Sequence, residues 1–152
     1  MHRNQGFTLI EVVIVVTIIG LIATLSFQNL LRALDRGRKS ATLADMRVIA
    51  TALERFAVDH QAYPVVDKMA ALRGDLEPAY VKQLPLTDGW HHPLDYEVDE
   101  AGSTYTLRSP GKDGEFQDAA ASEVSDDFAA DIVCVDGVFV GRTSEEPDDD
   151  PS

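Results

Sequence analysis

The chain has 152 residues, a single cysteine and a formal net charge of −13 at neutral pH. One cysteine permits no internal disulfide, and so large an acidic surplus repels nucleic-acid phosphates, which excludes that class of partner. The length suits one domain, and a small one once an extended N-terminal segment is set aside.

Residues 1–6 form a short polar leader carrying Arg3 and no acid, and an apolar run follows from Phe7 to Phe27. Within that run the only other residue types are Thr8, Glu11, Thr17, Gly20, Thr24 and Ser26. As a helix it spans about 31 Å, enough to cross a hydrocarbon core of about 30 Å. The basic leader predicts a cytoplasmic N-terminus. Glu11 is the anomaly, because a carboxylate in an apolar span costs about 2–4 kcal/mol unless it finds a partner. The bland account is a signal anchor whose acid reaches water at the interface. An ordinary cleaved signal peptide fits poorly, since Ala23-Thr24-Leu25-Ser26 is a weak cleavage site and the leader Gly6 precedes the run.

From Gln28 the helix is predicted to continue. Leu30, Leu31, Leu34, Leu43, Met46, Ile49, Ala50, Leu53, Phe56 and Ala57 recur at three- and four-residue steps, with charged residues on the other face. No proline interrupts positions 7–63, so Pro64 is the expected stop and Gly37 the soft spot. A short helix is expected between Asp67, as N-cap, and Tyr80, with Gly74 and Pro78 as its breakers. Strands are predicted over 94–98 and 104–108 around a five-residue loop, then a hairpin over 131–141 around Asp136-Gly137. Residues 115–130 read as an acidic surface loop and 145–152 as a disordered acidic tail. Cys134 lies in an apolar alternation and reads as a small buried hydrophobe.

Gly6-Phe7-Thr8-Leu9-Ile10-Glu11 followed by the apolar run resembles the N-terminus of type IV pilins and type II secretion pseudopilins. Further on, Asp88-Gly89-Trp90 resembles the Asp-Pro-Trp-Gly turn of major pseudopilins, with Gly where Pro is usual, and Ser109-Pro110-Gly111-Lys112-Asp113-Gly114 resembles their Ser-x-Gly-x-Asp-Gly loop. The chain departs from the family at Ser26-Phe27-Gln28-Asn29, which lacks the helix-kinking proline of many relatives. The resemblance implies an α+β fold: a long N-terminal helix, half membrane-embedded and half amphipathic, packed on a small antiparallel sheet. The implied organisation is a cleaved leader at 1–6, an assembly helix at 7–27, its amphipathic continuation at 28–63, a globular part at 64–144 and the tail. It also implies cleavage between Gly6 and Phe7 by a prepilin peptidase, methylation of Phe7, and Glu11 as the assembly glutamate. A carboxylate four residues from the new ammonium is its natural counter-charge, within a chain or between neighbouring subunits, where the pairing would set helix register.

The function so implied is that of a non-enzymatic filament subunit in the bacterial inner membrane with its globular part in the periplasm. Its partners would be copies of itself, minor pseudopilins, the peptidase and an inner-membrane assembly platform. A type IV pilin or minor pilin is the alternative, against which the missing disulfide leans; a membrane-anchored periplasmic enzyme or binding module is the third. From composition the acidic loop is either solvated charge or a cation site, since Ca²⁺ takes carboxylate and carbonyl oxygens from loops. The resemblance implies Ca²⁺, with Asp113 as one ligand and Asp131 or Asp127 as the second; Asp126 and Glu123 stand nearby. His60, His91 and His92 are too few and ill-spaced for zinc. No nucleophile–base arrangement is legible around Ser109 or Ser125.

Overall fold

The structure, a computed structural model, describes residues 7–117 and 127–140. The expected leader with Gly6, the stretch containing Glu123, Ser125 and Asp126, and the expected tail lie outside the described residues.

Helix α1 runs Leu9–His60, 52 residues of unbroken α-helix. Neither Gly37 nor the proline-free stretch after Phe27 interrupts it. It ends three residues before the expected Tyr63. The cause is Gln61, which takes a left-handed φ of 62° and donates its N–H to the Ala57 carbonyl, turning the chain off the helix axis before Pro64 is reached.

The chain divides into two compact units, 1–35 and 36–152, the boundary falling inside α1. In the first unit, side chains from Phe7 through Leu34 are exposed wherever they are described. In the second, α1 supplies one wall of the core. Met46, Ile49 and Leu53 are fully buried on its apolar stripe and meet Leu72, Leu76, Leu84, Leu94, Tyr96, Tyr105, Leu107, Ile132 and Cys134 in one cluster. Each such Leu or Ile contributes about 1.5–3 kcal/mol of burial. Cys134 is the small buried hydrophobe expected.

Between α1 and the sheet the chain makes a 3₁₀ turn, Met69–Ala71, and helix α2, Leu72–Leu76. Met69, Leu72 and Leu76, three and four residues apart, are buried in the core. Two expectations fail here. Asp67 caps nothing: Lys68, in extended conformation, precedes the 3₁₀ turn without a side-chain cap. Gly74 lies inside α2 with nothing near its α-carbon to exclude a side chain, so it does not break the helix.

Four antiparallel strands follow in the order β1-β2-β3-β4: Asp95–Val98, Tyr105–Ser109, Ile132–Val135 and Val138–Val140. Tyr105, Leu107 and Ser109 point inward while Thr106 and Arg108 point outward, the period-2 pattern of a sheet with one covered face. Asp136 and Gly137 both have positive φ, 46° and 79°, as a two-residue type I′ hairpin requires. The fold is thus the expected α+β arrangement of a long N-terminal helix and a small antiparallel sheet.

Candidate functional site

The first candidate site is the start of α1. Thr8 immediately precedes the helix, and its Oγ1 accepts the Glu11 N–H at 3.4 Å. Thr8 is therefore the N-cap and Glu11 the third helical residue, the threonine-x-x-glutamate pattern of a capping box. This places an acid in the first turn, where the helix dipole favours it. Phe7 sits exposed one residue before the cap. Glu11 is exposed and makes no ion pair among the described residues.

The remaining hydroxyls described in the apolar segment are already satisfied inside the helix. Thr17 donates to the Val13 carbonyl at 2.8 Å and Thr24 to the Gly20 carbonyl at 2.9 Å. Such back-bonding is what a segment surrounded by hydrocarbon needs, because no water is there to take those protons. The segment is apolar on every side, with Val12, Val13, Ile14, Ile18, Ile19 and Leu21 each at least half exposed. A helix apolar all round belongs in a bilayer or a bundle. By length and composition α1 can cross a membrane.

The second region lies around the Asp88 turn. The Asp88 carboxylate is fully buried; its Oδ1 accepts the Trp90 and His92 N–H groups, each at 2.9 Å, and its Oδ2 accepts the Ser109 hydroxyl at 2.9 Å. His92 turns its Nδ1 to the Gly111 carbonyl at 2.7 Å. Ser, His and Asp thus come together, but in the wrong order for catalysis. The serine is buried and hydrogen-bonded to the acid rather than to an imidazole base, so the group is a structural clasp.

The third region is the acidic loop. Asp113 is exposed, its Oδ1 accepting the Glu115 N–H at 3.2 Å and its Oδ2 the Gln117 side-chain amide at 2.7 Å. The Asp127 Oδ1 accepts the Ala129 N–H at 3.1 Å. Asp131 is fully buried, and its Oδ2 accepts both the Gln117 N–H at 2.9 Å and an Arg108 guanidinium N–H at 2.7 Å. Asp131 and Asp113 are thus tied to the same Gln117, but the carboxylate expected as a second calcium ligand already holds a cation. Among the described residues no three His, Cys, Asp or Glu side chains gather to hold a metal ion. Of the ligands that the resemblance implies, Asp131 does not fit a Ca²⁺ ion while Arg108 occupies its Oδ2; Asp126, a further candidate, lies outside the described residues.

His60 stacks on Phe56 with ring centroids 4.0 Å apart, distant in role from the His92 contact, so no zinc set forms among the described residues. A groove of about 340 Å³ is lined by Asp67, Lys68, Met69, Leu86, Thr87 and Leu94.

Three features of these regions go beyond what was expected from the sequence. The Thr8–Glu11 box was legible in the sequence pattern. The buried role of Asp88 and the Arg108–Asp131 pair depend on strand register and on contacts far apart in the chain, for which no local signal exists.

Residues 1–27 match the family model described as the prokaryotic N-terminal methylation motif, and residues 29–127 match that of type II secretion system protein G. The type II secretion system core protein G of Pseudomonas aeruginosa is 33% identical over 127 residues, covering 75% of this chain and 89% of that protein. That of Xanthomonas campestris is 32% identical over 116 residues, covering 73% and 80%, and that of Vibrio cholerae 30% over 125 residues, covering 76% and 85%.

Proposed function

The chain belongs to the type II secretion protein G family of pseudopilins, and from that premise we propose that it is a structural subunit of a pseudopilus that drives protein export. The observation that carries the reading is the stretch of α1 up to Phe27: apolar on every side, its described hydroxyls internally satisfied, and its one acid, Glu11, exposed in the first turn. Such a helix is incomplete as a monomer. In the bilayer it is a single-pass anchor with the globular part in the periplasm; in the filament it packs against copies of itself and of minor pseudopilins.

In this reading a prepilin peptidase cuts between Gly6 and Phe7 and the new N-terminus is methylated. The ammonium of Phe7 on one subunit then pairs with Glu11 of its neighbour. The protein does no chemistry of its own, and assembly runs through an inner-membrane platform. The match of residues 29–127 to protein G favours this reading over a type IV pilin of a surface pilus.

The test is to overproduce the protein beside a complete type II secretion machinery and to examine the periplasmic fraction and sheared material for filaments containing it. Filaments that disappear when the assembly ATPase is deleted support the reading. A protein that stays dispersed in the membrane with or without the ATPase is a plain anchor, and the reading fails.

A further inference from the structure

We propose that Arg108 is a built-in cation which takes at Asp131 the place a divalent ion would hold, so that the described flanks of the acidic loop are joined without calcium. The register makes the pair possible. Arg108 lies opposite Val133 in the β2–β3 ladder, and Asp131 stands two residues before Val133, on the same outward face. That diagonal separation is within reach of a long side chain.

The guanidinium does more than meet one carboxylate. The same NH2 group donates to Asp131 Oδ2 at 2.7 Å and to the Gln117 carbonyl at 2.8 Å, and the guanidinium carbon lies 5.3 Å from the centre of the Phe116 ring. A carboxylate oxygen and a backbone carbonyl are the ligand types a calcium ion draws from a loop, and here one guanidinium takes both. The Gln117 N–H closes the arrangement onto the same Asp131 oxygen. Two atoms of the pair, Arg108 Nε and Asp131 Oδ1, are buried without a partner among the described residues. A bond between these two atoms would be the second arm of a bidentate fork, the strongest geometry open to this pair. A dication at Asp131 would sit beside a fixed positive charge and would have to displace it.

The pair fixes both flanks of the acidic excursion. Gln117 on the upstream side is bonded to Asp131 on the downstream side. The Lys112 N–H to Phe128 carbonyl bond, 2.7 Å, ties the same two flanks a second time. These flanks carry acidic side chains, and the arginine at their junction supplies the counter-charge from within the chain.

The experiment is thermal unfolding of the full chain in a non-ionic detergent, with millimolar Ca²⁺ or with a chelator. The expected melting curves superimpose, whereas an ion at a hundredfold excess over its Kd would raise the midpoint by several degrees. Arg108→Leu leaves a buried carboxylate unpaired and lowers the midpoint by roughly 10 °C. Arg108→Lys restores part of the loss, because the charge remains and the fork does not. Arg108→Leu combined with Asp131→Leu recovers most of it, because neither charge is then left alone. A wild-type midpoint that rises with Ca²⁺ overturns the proposal, as does an Arg108→Leu protein that melts like the wild type. Should the single leucine variant not fold, the wild-type calcium comparison and Arg108→Lys still decide.

Discussion

The backbone carbonyl of Arg38 occupies the space in which a side chain at Gly89 would begin, so a Cβ there would collide with that oxygen. Thr42 sits at the same contact. Its hydroxyl donates to the Arg38 carbonyl at 3.0 Å and accepts the Gly89 N–H at 2.9 Å. The loop after Leu86 therefore rests directly on the backbone of α1, with one threonine joining the two.

This contact explains why the chain has Gly where the resembling turn usually has Pro. Gly89→Ala forces the loop and helix apart and is expected to cost about 1–3 kcal/mol, as overpacking does. Gly89→Pro should cost more, since it also removes the N–H that Thr42 accepts. Urea unfolding of both variants checks the order. A proline variant as stable as the wild type would show that the close approach is not needed.

Asp88 gives the second prediction. Asp88→Ala strands the Trp90 N–H, the His92 N–H and the Ser109 hydroxyl, and each stranded buried group costs about 1–3 kcal/mol. Part of that will be recovered by water, so a total loss of roughly 3 kcal/mol is expected. Asp88→Asn keeps an acceptor for the two amides and should lose about 1 kcal/mol. Equal losses in the two variants would mean that the charge, rather than the acceptor geometry, holds the turn.

Local pattern was enough for the elements whose cause is local. The apolar period of Met46, Ile49 and Leu53 marked the buried stripe of α1, and Asp136-Gly137 marked the hairpin because few other dipeptides accept two positive φ angles. The helix end at Gln61 was not legible, because glutamine carries no preference for the left-handed region and the visible signal, Pro64, lay further on. Asp131 was singled out as a calcium ligand implied by the resemblance, but its partner sits on strand β2, 23 positions earlier. A charge can be seen in a sequence; what neutralises it depends on register.

Processing gives the third prediction. The intact mass of the mature protein should correspond to a chain beginning at methylated Phe7. Gly6→Val should leave the precursor uncut, because the peptidase must close on the chain at the scissile bond and a branched side chain obstructs it. A mature chain beginning near Leu25 would instead support an ordinary signal peptide.

The last prediction separates insertion from assembly. Glu11→Val removes a carboxylate that costs about 2–4 kcal/mol in the hydrocarbon region, so membrane insertion should be unaffected or easier. The capping bond uses the Glu11 backbone N–H, with Thr8 Oγ1 as acceptor, and survives the change, so the helix start should hold. What is lost is the counter-charge for the ammonium of a neighbouring subunit. Filament yield should therefore fall by at least tenfold while the amount of processed protein in the membrane stays near wild type. Glu11→Asp keeps the charge on a shorter stem and should recover part of the yield. Quantifying sheared filaments and membrane-bound mature protein side by side distinguishes the cases. Wild-type filament yield from Glu11→Val would remove the ammonium–carboxylate pairing, and loss of the protein from the membrane would show that Glu11 acts on insertion instead.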